Sequence, residues 1–279
     1  MGKALVLGGG GSVGTAWQTG LIAGWNRRGI VLTDADLILG TSAGAAVGVQ
    51  VALGHDLDRQ LDRYRAAHRR HLAGGRTAVM EFDEEQARRV DELFARGTAD
   101  GRRDPAVRRD ICRAALETPT IPEDDFLRTF KYLKGQPWPA NYVCTTVDVE
   151  TAEFAPLDHT LGGELDRGVA AAVAVPGVYP PVTVAGRRYI DGGCLSTNHL
   201  DLAAGHERIL FVQMTDVHPS ELAAIKNSGP DMLVVTPDAA SVASFGSGLM
   251  DAGAAFGAAE RGLEQGLRDA EEIAAFWRG

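Results

Sequence analysis

The sequence predicts an α/β chain, with a largely parallel sheet covered by helices on both faces. Three observations predict it. Short apolar runs at 4–7, 36–39, 142–147, 209–214 and 233–236 read as strands, and longer segments of helical pattern separate most of them. The first two strands run directly into glycine-rich turns that open helices. The 279 residues suit one such domain, 1–279, with ample core.

The elements follow in order. Strand 4–7 ends in Gly8-Gly9-Gly10-Gly11, and 14–28 reads as a helix stopped by Gly29. Strand 36–39 leads through a sharp turn into a helix reaching about 53. The segment from about 56 to 134 is dense in Arg, Asp and Glu and helical in pattern, with breaks at Gly74-Gly75, Gly97 and Pro119. It reads as a helical cap inserted in the domain, its charges making solvated faces and ion pairs and not a recognition surface. Strand 142–147 is followed by a weaker one at 154–157, then by a small-residue helix over 164–175. A hairpin of 182–184 and 188–190, turned at Gly186, delivers Asp191-Gly192-Gly193. Strands 209–214 and 233–236 precede a helical tail, 241–277, with Gly and Ala on one face. That face suits core packing or a subunit contact, and the oligomeric state stays open. There is no internal repeat and no low-complexity linker.

Charge and composition exclude several classes. A net charge of −9 leaves nothing to neutralise phosphates, so nucleic acid is not an expected partner. It also disfavours strong adsorption to anionic membranes. Cys112, Cys144 and Cys194 lack paired or metal-type spacing and read as reduced thiols. Met1-Gly2-Lys3 passes at once into the first strand, too short for a signal segment. Val6 stands where myristoylation needs Ser or Thr. No apolar run reaches the roughly 18 residues of a membrane span. The expectation is a cytoplasmic chain whose contact with lipid is peripheral.

Chemistry concentrates at two turns. Gly40-Thr41-Ser42-Ala43-Gly44, between strand and helix, has the form of a nucleophile elbow with Ser42 at its apex. Gly40 and Gly44 lack a Cβ, so strand and helix can approach closely around the corner. Backbone N–H groups at the helix start favour developing negative charge there. The other turn is Gly8-Gly9-Gly10-Gly11-Ser12-Val13-Gly14, an anion nest in pattern. Gly9, Gly11 and Gly14 also fit a dinucleotide fingerprint. Asp34 and Asp36 are the acids about twenty residues on, but they stand before and at the start of the second strand, whereas a ribose-binding acid ends it. An oxyanion hole serving the neighbouring serine is therefore the favoured reading. No Gly-Lys-Ser/Thr closes the loop as a P-loop would require.

A serine nucleophile needs a base. None of the seven histidines sits in a motif that places it at the elbow, and His199, eight residues past Asp191, is the hardest to dismiss. Asp191 is the better candidate, because Gly192-Gly193 lets backbone come close. It reads equally as an ordinary Asx-turn aspartate before two glycines.

Together, Gly9-Gly10-Gly11-Ser12-Val13-Gly14, Gly40-Thr41-Ser42-Ala43-Gly44 and Asp191-Gly192-Gly193 resemble, in order, the three motifs of the patatin-like phospholipases. The run Ala174-Val175-Pro176-Gly177-Val178-Tyr179-Pro180-Pro181 is similar to that family's approach to its aspartate. The likeness spans about 1–55 and 165–205. It implies a three-layer α/β/α sandwich with a mostly parallel sheet, and a Ser42–Asp191 dyad without a catalytic histidine. It implies an oxyanion hole of the N–H groups of Gly9, Gly10 and Gly11 with Ala43. The implied substrates are phospholipids, lysophospholipids or other acyl esters, with no metal or organic cofactor. Val13 replaces the family's basic residue. Backbone donors survive that change, so it weakens the expectation of a phospholipid more than that of hydrolysis, and favours a neutral or small ester. The rival readings are a nucleotide-binding protein that uses the glycine loop, and a catalytically weak member kept for regulation.

Overall fold

The computed structural model describes residues 2–73, 92 and 103–279. β1 (Lys3–Leu7) leads to α1 (Gly11–Arg27), and β2 (Leu37–Gly40) to α2 (Ala43–Ala52) and α3 (Leu57–Leu72). Later in the charged segment come α4 (Pro105–Glu117), α5 (Glu123–Leu127) and a 3-10 turn, Arg128–Leu133. β3 (Tyr142–Asp148), β4 (Phe154–Leu157), α6 (Leu165–Ala172), β5 (Val182–Val184) and β6 (Arg187–Asp191) follow. The chain closes with β7 (Arg208–Val212), α7 (Pro219–Ser228), β8 (Asp231–Val235), α8 (Ala239–Ala243) and α9 (Ala255–Arg278).

Among the described residues, eight strands form one mixed sheet in the order β5-β6-β3-β2-β1-β7-β8, with β4 on β3. The pairs from β3 through β8 across β2, β1 and β7 are parallel, and β3 pairs antiparallel with β4 and β6. Strand side chains alternate between two apolar layers, as a sheet covered on both faces requires. Leu5, Leu7, Ile38, Leu210 and Val212 pack under α1, α2, α6 and α9. Ala4, Val6, Leu39 and Phe211 pack on the other face with Leu200 and with Ile225 of α7. Val147 and Ile190 meet Ile111 and Ala115 of α4. This is the three-layer α/β/α architecture expected from the sequence.

Two elements differ from expectation. α1 begins at Gly11, three residues early; Gly14 N–H donates to Gly10 O at 2.7 Å and Val13 N–H to Leu249 O at 3.0 Å, which fix a first turn that glycine alone would not hold. Residues 244–254 are largely not helical. Gly246 and Gly248 take φ of 63° and 147° there, so the terminal helix starts only at Ala255. The described start of the charged segment, α3, lies against the body: Leu57 and Leu61 are buried in the main core, and Arg65 pairs with Glu260 of α9 at 2.8 Å. Of the segment's expected breaks, Pro119 follows the end of α4 at Glu117, while Gly74, Gly75 and Gly97 lie outside the described residues.

The Gly and Ala face of α9 is core packing. A Cβ on Gly262 would stand 2.2 Å from Trp17 O, one on Gly266 2.1 Å from Leu21 O, and one on Gly20 2.0 Å from Ala259 O. α1 and α9 thus touch backbone to backbone. Gly266→Ala forces them apart and should cost about 1–3 kcal/mol or more. Gly257→Ala in the same helix, where the new methyl lies 3.8 Å from Ser244, should be neutral or stabilising. Urea unfolding of the two variants checks the contrast.

Candidate active site

The elbow forms where β2 meets α2. Thr41 N–H donates to Leu7 O at 3.1 Å, and the chain reverses at Ser42, with φ 52° and ψ −117°. A non-glycine residue there carries backbone strain of about 1–3 kcal/mol. The surroundings leave it little choice. A Cβ on Gly40 would lie 2.5 Å from Ala45 Cα, and one on Gly44 2.0 Å from Leu7 O. Only glycines let α2 start this close to two strands, as the motif led us to expect. Thr145 Oγ1 donates to Thr41 Oγ1 at 2.9 Å, and Tyr142 OH to Ala45 O at 2.8 Å, so β3 clamps the turn from the other side. Ser42 is half-buried between buried neighbours.

The glycine loop lies against this serine: a Cβ on Gly9 would be 3.4 Å from Ser42 Cβ. One expected donor is withdrawn. Gly9 N–H donates to Thr197 O at 2.7 Å, because the chain after Asp191 runs back beneath the loop. The N–H groups of Gly10, Gly11 and Ala43 have no acceptor among the described residues. Gly11, at φ 59°, faces Leu249 O and Met250, which close the loop from above. Val13 is fully buried in the main core. A charged side chain has no place there, and the Leu249 carbonyl fixes the loop instead.

β6 brings Asp191 to the serine. Its register on β3 sets Asp191 opposite Thr146, and Gly192 comes so close to Thr145 that a Cβ would lie 2.3 Å from the hydroxyl oxygen. Asp191 is fully buried. Its Oδ1 accepts from Gly193 N–H at 2.7 Å, which is the Asx turn, while Oδ2 has no partner at full hydrogen-bond geometry. Burial pushes the carboxyl up to about 7; the Ser42 hydroxyl comes first among the groups that pull it down, ahead of Gly193 N–H and the Arg103 charge. The Ser42 hydroxyl therefore lies close enough to the carboxyl to act on it.

Arg103 escaped the sequence reading. It is nearly fully buried, its Nη1 donates to Gly193 O at 2.5 Å and its N–H to Leu195 O at 3.0 Å. It braces the Asp191 turn from behind. No pattern separates it from the other arginines of the charged segment. His199 is a structural residue: it is buried, its Nε2 bonds Gly192 O at 3.1 Å, and it stacks on Phe154 with centroids 4.4 Å apart. No histidine is among the groups acting on Asp191. The acids of the dinucleotide pattern are engaged elsewhere. Asp34 binds Lys3 Nζ at 2.6 Å and Trp277 Nε1 at 2.9 Å, and Asp36 accepts from Lys3 N–H at 2.7 Å.

A cavity of about 430 Å³ opens over Ser42. Ala46, Phe130, Val173, Val175 and Tyr179 give it an apolar wall, and α3 forms another wall. Among the described residues, no group of three His, Cys, Asp or Glu is placed to hold a metal ion, and no helix is long and apolar enough to cross a membrane. The model of the Patatin-like phospholipase family matches residues 5–204. No curated protein matches the chain.

The raised Asp191 pKa has a consequence for stability. Between the usual carboxylate value of 3.8 and about 7, the folded protein keeps a proton that the unfolded chain has released. Stability from this group is complete below the lower value and is lost as pH rises through the upper one. Asp191→Asn has no charge to bury and should be the more stable protein at pH 8, by up to a few kcal/mol. The gap should shrink toward pH 4. Urea titrations across that range measure it.

Proposed function

Because the chain belongs to the patatin-like phospholipase family, we propose that it is a serine acyl hydrolase of lipids whose nucleophile is Ser42 and whose base is Asp191. Membership supports lipid acyl hydrolysis in general. The assignment of the two residues rests on one observation above all: a buried carboxyl with an unengaged oxygen meets a hydroxyl held at a strained elbow.

The chemistry follows from that arrangement. Ser42 Oγ attacks the ester carbonyl as Asp191 takes its proton, and the carbonyl oxygen becomes an oxyanion. The free N–H groups of Gly10, Gly11 and Ala43 are the donors on hand, at the starts of α1 and α2, whose dipoles favour the charge. Asp191 returns the proton to the departing alcohol, leaving an acyl-serine. It then takes a proton from water, which attacks the acyl carbon. The fatty acid leaves and Ser42 regains its proton. A carboxyl at about 7 is a far better base at neutral pH than an ordinary aspartate, which would hold its charge too stably.

A fluorophosphonate should label Ser42, and Ser42→Ala and Asp191→Asn should each lower the kcat of p-nitrophenyl butyrate hydrolysis by about a thousandfold or more. Wild-type rates in either variant overturn the assignment. The rate kcat/KM should rise with pH to a plateau above about 7, where Asp191 is ionised. His199→Gln should keep that limb while lowering stability, since the ring is buried. Arg103→Met removes the positive charge behind the turn and should move the limb to higher pH, and Arg103→Lys should bring it partly back. These shifts are read from pH-rate profiles.

A further inference from the structure

The walls of the Ser42 cavity differ in charge from the rest of the molecule. The chain carries 37 acidic residues against 28 Lys and Arg, yet no carboxylate lines this cavity among the described residues. Its charged lining residues are Arg63 and Arg70 of α3. Gln60, Arg63, Tyr64, Ala67 and Arg70 all line it, and their spacing is that of a single helical stripe. The two arginines lie seven residues apart on that stripe, about 10 Å along the axis. Ala67 between them is small and leaves the space open.

Two other arginines of α3 are engaged, while Arg69 is exposed, lies off the cavity lining and forms no ion pair among the described residues. Arg59 pairs with Asp56, and Arg65 with Asp62 and Glu260. Arg63 donates to the neutral Gln60 Oε1 at 3.1 Å, and neither Arg63 nor Arg70 forms an ion pair among the described residues. An independent feature points the same way. Ser12 Oγ, at the start of α1 and on the cavity lining, is buried without a hydrogen-bond partner. A ligand rich in acceptor oxygens would satisfy it.

We propose that Arg63 and Arg70 form an anion subsite beside Ser42, so that the preferred substrate is a fatty-acyl ester with a negatively charged head. The apolar wall takes the chain and the α3 wall takes the head. This rests on Ser42 as the nucleophile. It reverses the expectation of a neutral ester that Val13 raised: the positive charge missing from the glycine loop is supplied by a helix the motifs do not include.

Two measurements test it. Lysophosphatidic acid and monoacylglycerol with the same acyl chain are compared as substrates. The ratio of their kcat/KM values should favour the anionic ester by about tenfold or more, and R63Q/R70Q should abolish most of that ratio. R59Q, outside the cavity, should keep it, and added salt should lower it. Octyl phosphate should bind the wild type about tenfold tighter than octyl glucoside by calorimetry, and R63Q/R70Q should remove the difference. Equal ratios in wild type and double variant, or equal binding of the two octyl compounds, overturn the proposal. Inorganic phosphate binding as tightly as octyl phosphate overturns the ester as occupant. If no ester is cleaved and the fluorophosphonate leaves Ser42 unlabelled, the catalytic reading fails, and the octyl phosphate titration still decides the subsite.

Discussion

The structure depends on how closely backbone approaches backbone at the carboxyl end of the sheet. Ser42 takes its left-handed conformation because β2, β1 and the first turn of α2 converge there, and Gly40 and Gly44 are the positions at which a single methyl would separate them. The strain at Ser42 is small beside the burial that imposes it, since α2 is almost entirely core. The same economy recurs at Gly192, pressed on Thr145, and along the seam of α1 and α9. Each contact shortens a path between elements, and together they set a hydroxyl, a carboxyl and a row of amides within reach of one another.

Asp191 shows how stability and chemistry are divided within one side chain. One oxygen closes the turn through Gly193, a bond worth keeping in any folded protein. The other faces the serine without a full partner, in a fully buried position where a negative charge is costly. The fold tolerates this because Arg103 stands behind the turn, binding the Gly193 carbonyl and easing the charge on the carboxyl. A closer ion pair would stabilise the carboxylate further and leave it a poorer base. The placement behind the backbone is a compromise between the two demands.

The sheet, its two glycine turns and the Asp191 hairpin were legible in the sequence for a physical reason: each is written in short-range signals. Strands are apolar runs, and glycines mark the points where no side chain fits. What the sequence hid depends on distant partners. Gly9 counts as a donor until Thr197, far along the chain, is seen to take its N–H. Arg103 looks like any arginine of a charged segment until its burial against Gly193 is known. The tail looks helical from 241 because its small residues suit a helix, but Gly246 and Gly248 break it and Asp251 caps a new start by accepting from Gly253 and Ala254 N–H. The Asx-turn reading of Asp191 is met by Oδ1, and Oδ2 is the atom left for the proposed base.

The charged segment reads from the sequence as solvated faces and ion pairs, and α3 has both, together with a buried face that depends on distant partners. A helix rich in Arg and Asp looks solvated on every side when its neighbours are unknown. α3 in fact has three faces: Leu57 and Leu61 in the core, Arg59 and Arg65 in ion pairs, and the stripe of Arg63 and Arg70 on the cavity. Their place on the cavity is what distinguishes the last two, since Arg69 also forms no ion pair among the described residues and does not line it. An arginine paired to a carboxylate adds little field, whereas Arg63 and Arg70, exposed at the cavity and without a carboxylate partner among the described residues, are open to an anionic group at its mouth. Burial of Val13 leaves the glycine loop no room for a cation, and the cations on the cavity lining belong instead to α3, an element outside the motifs.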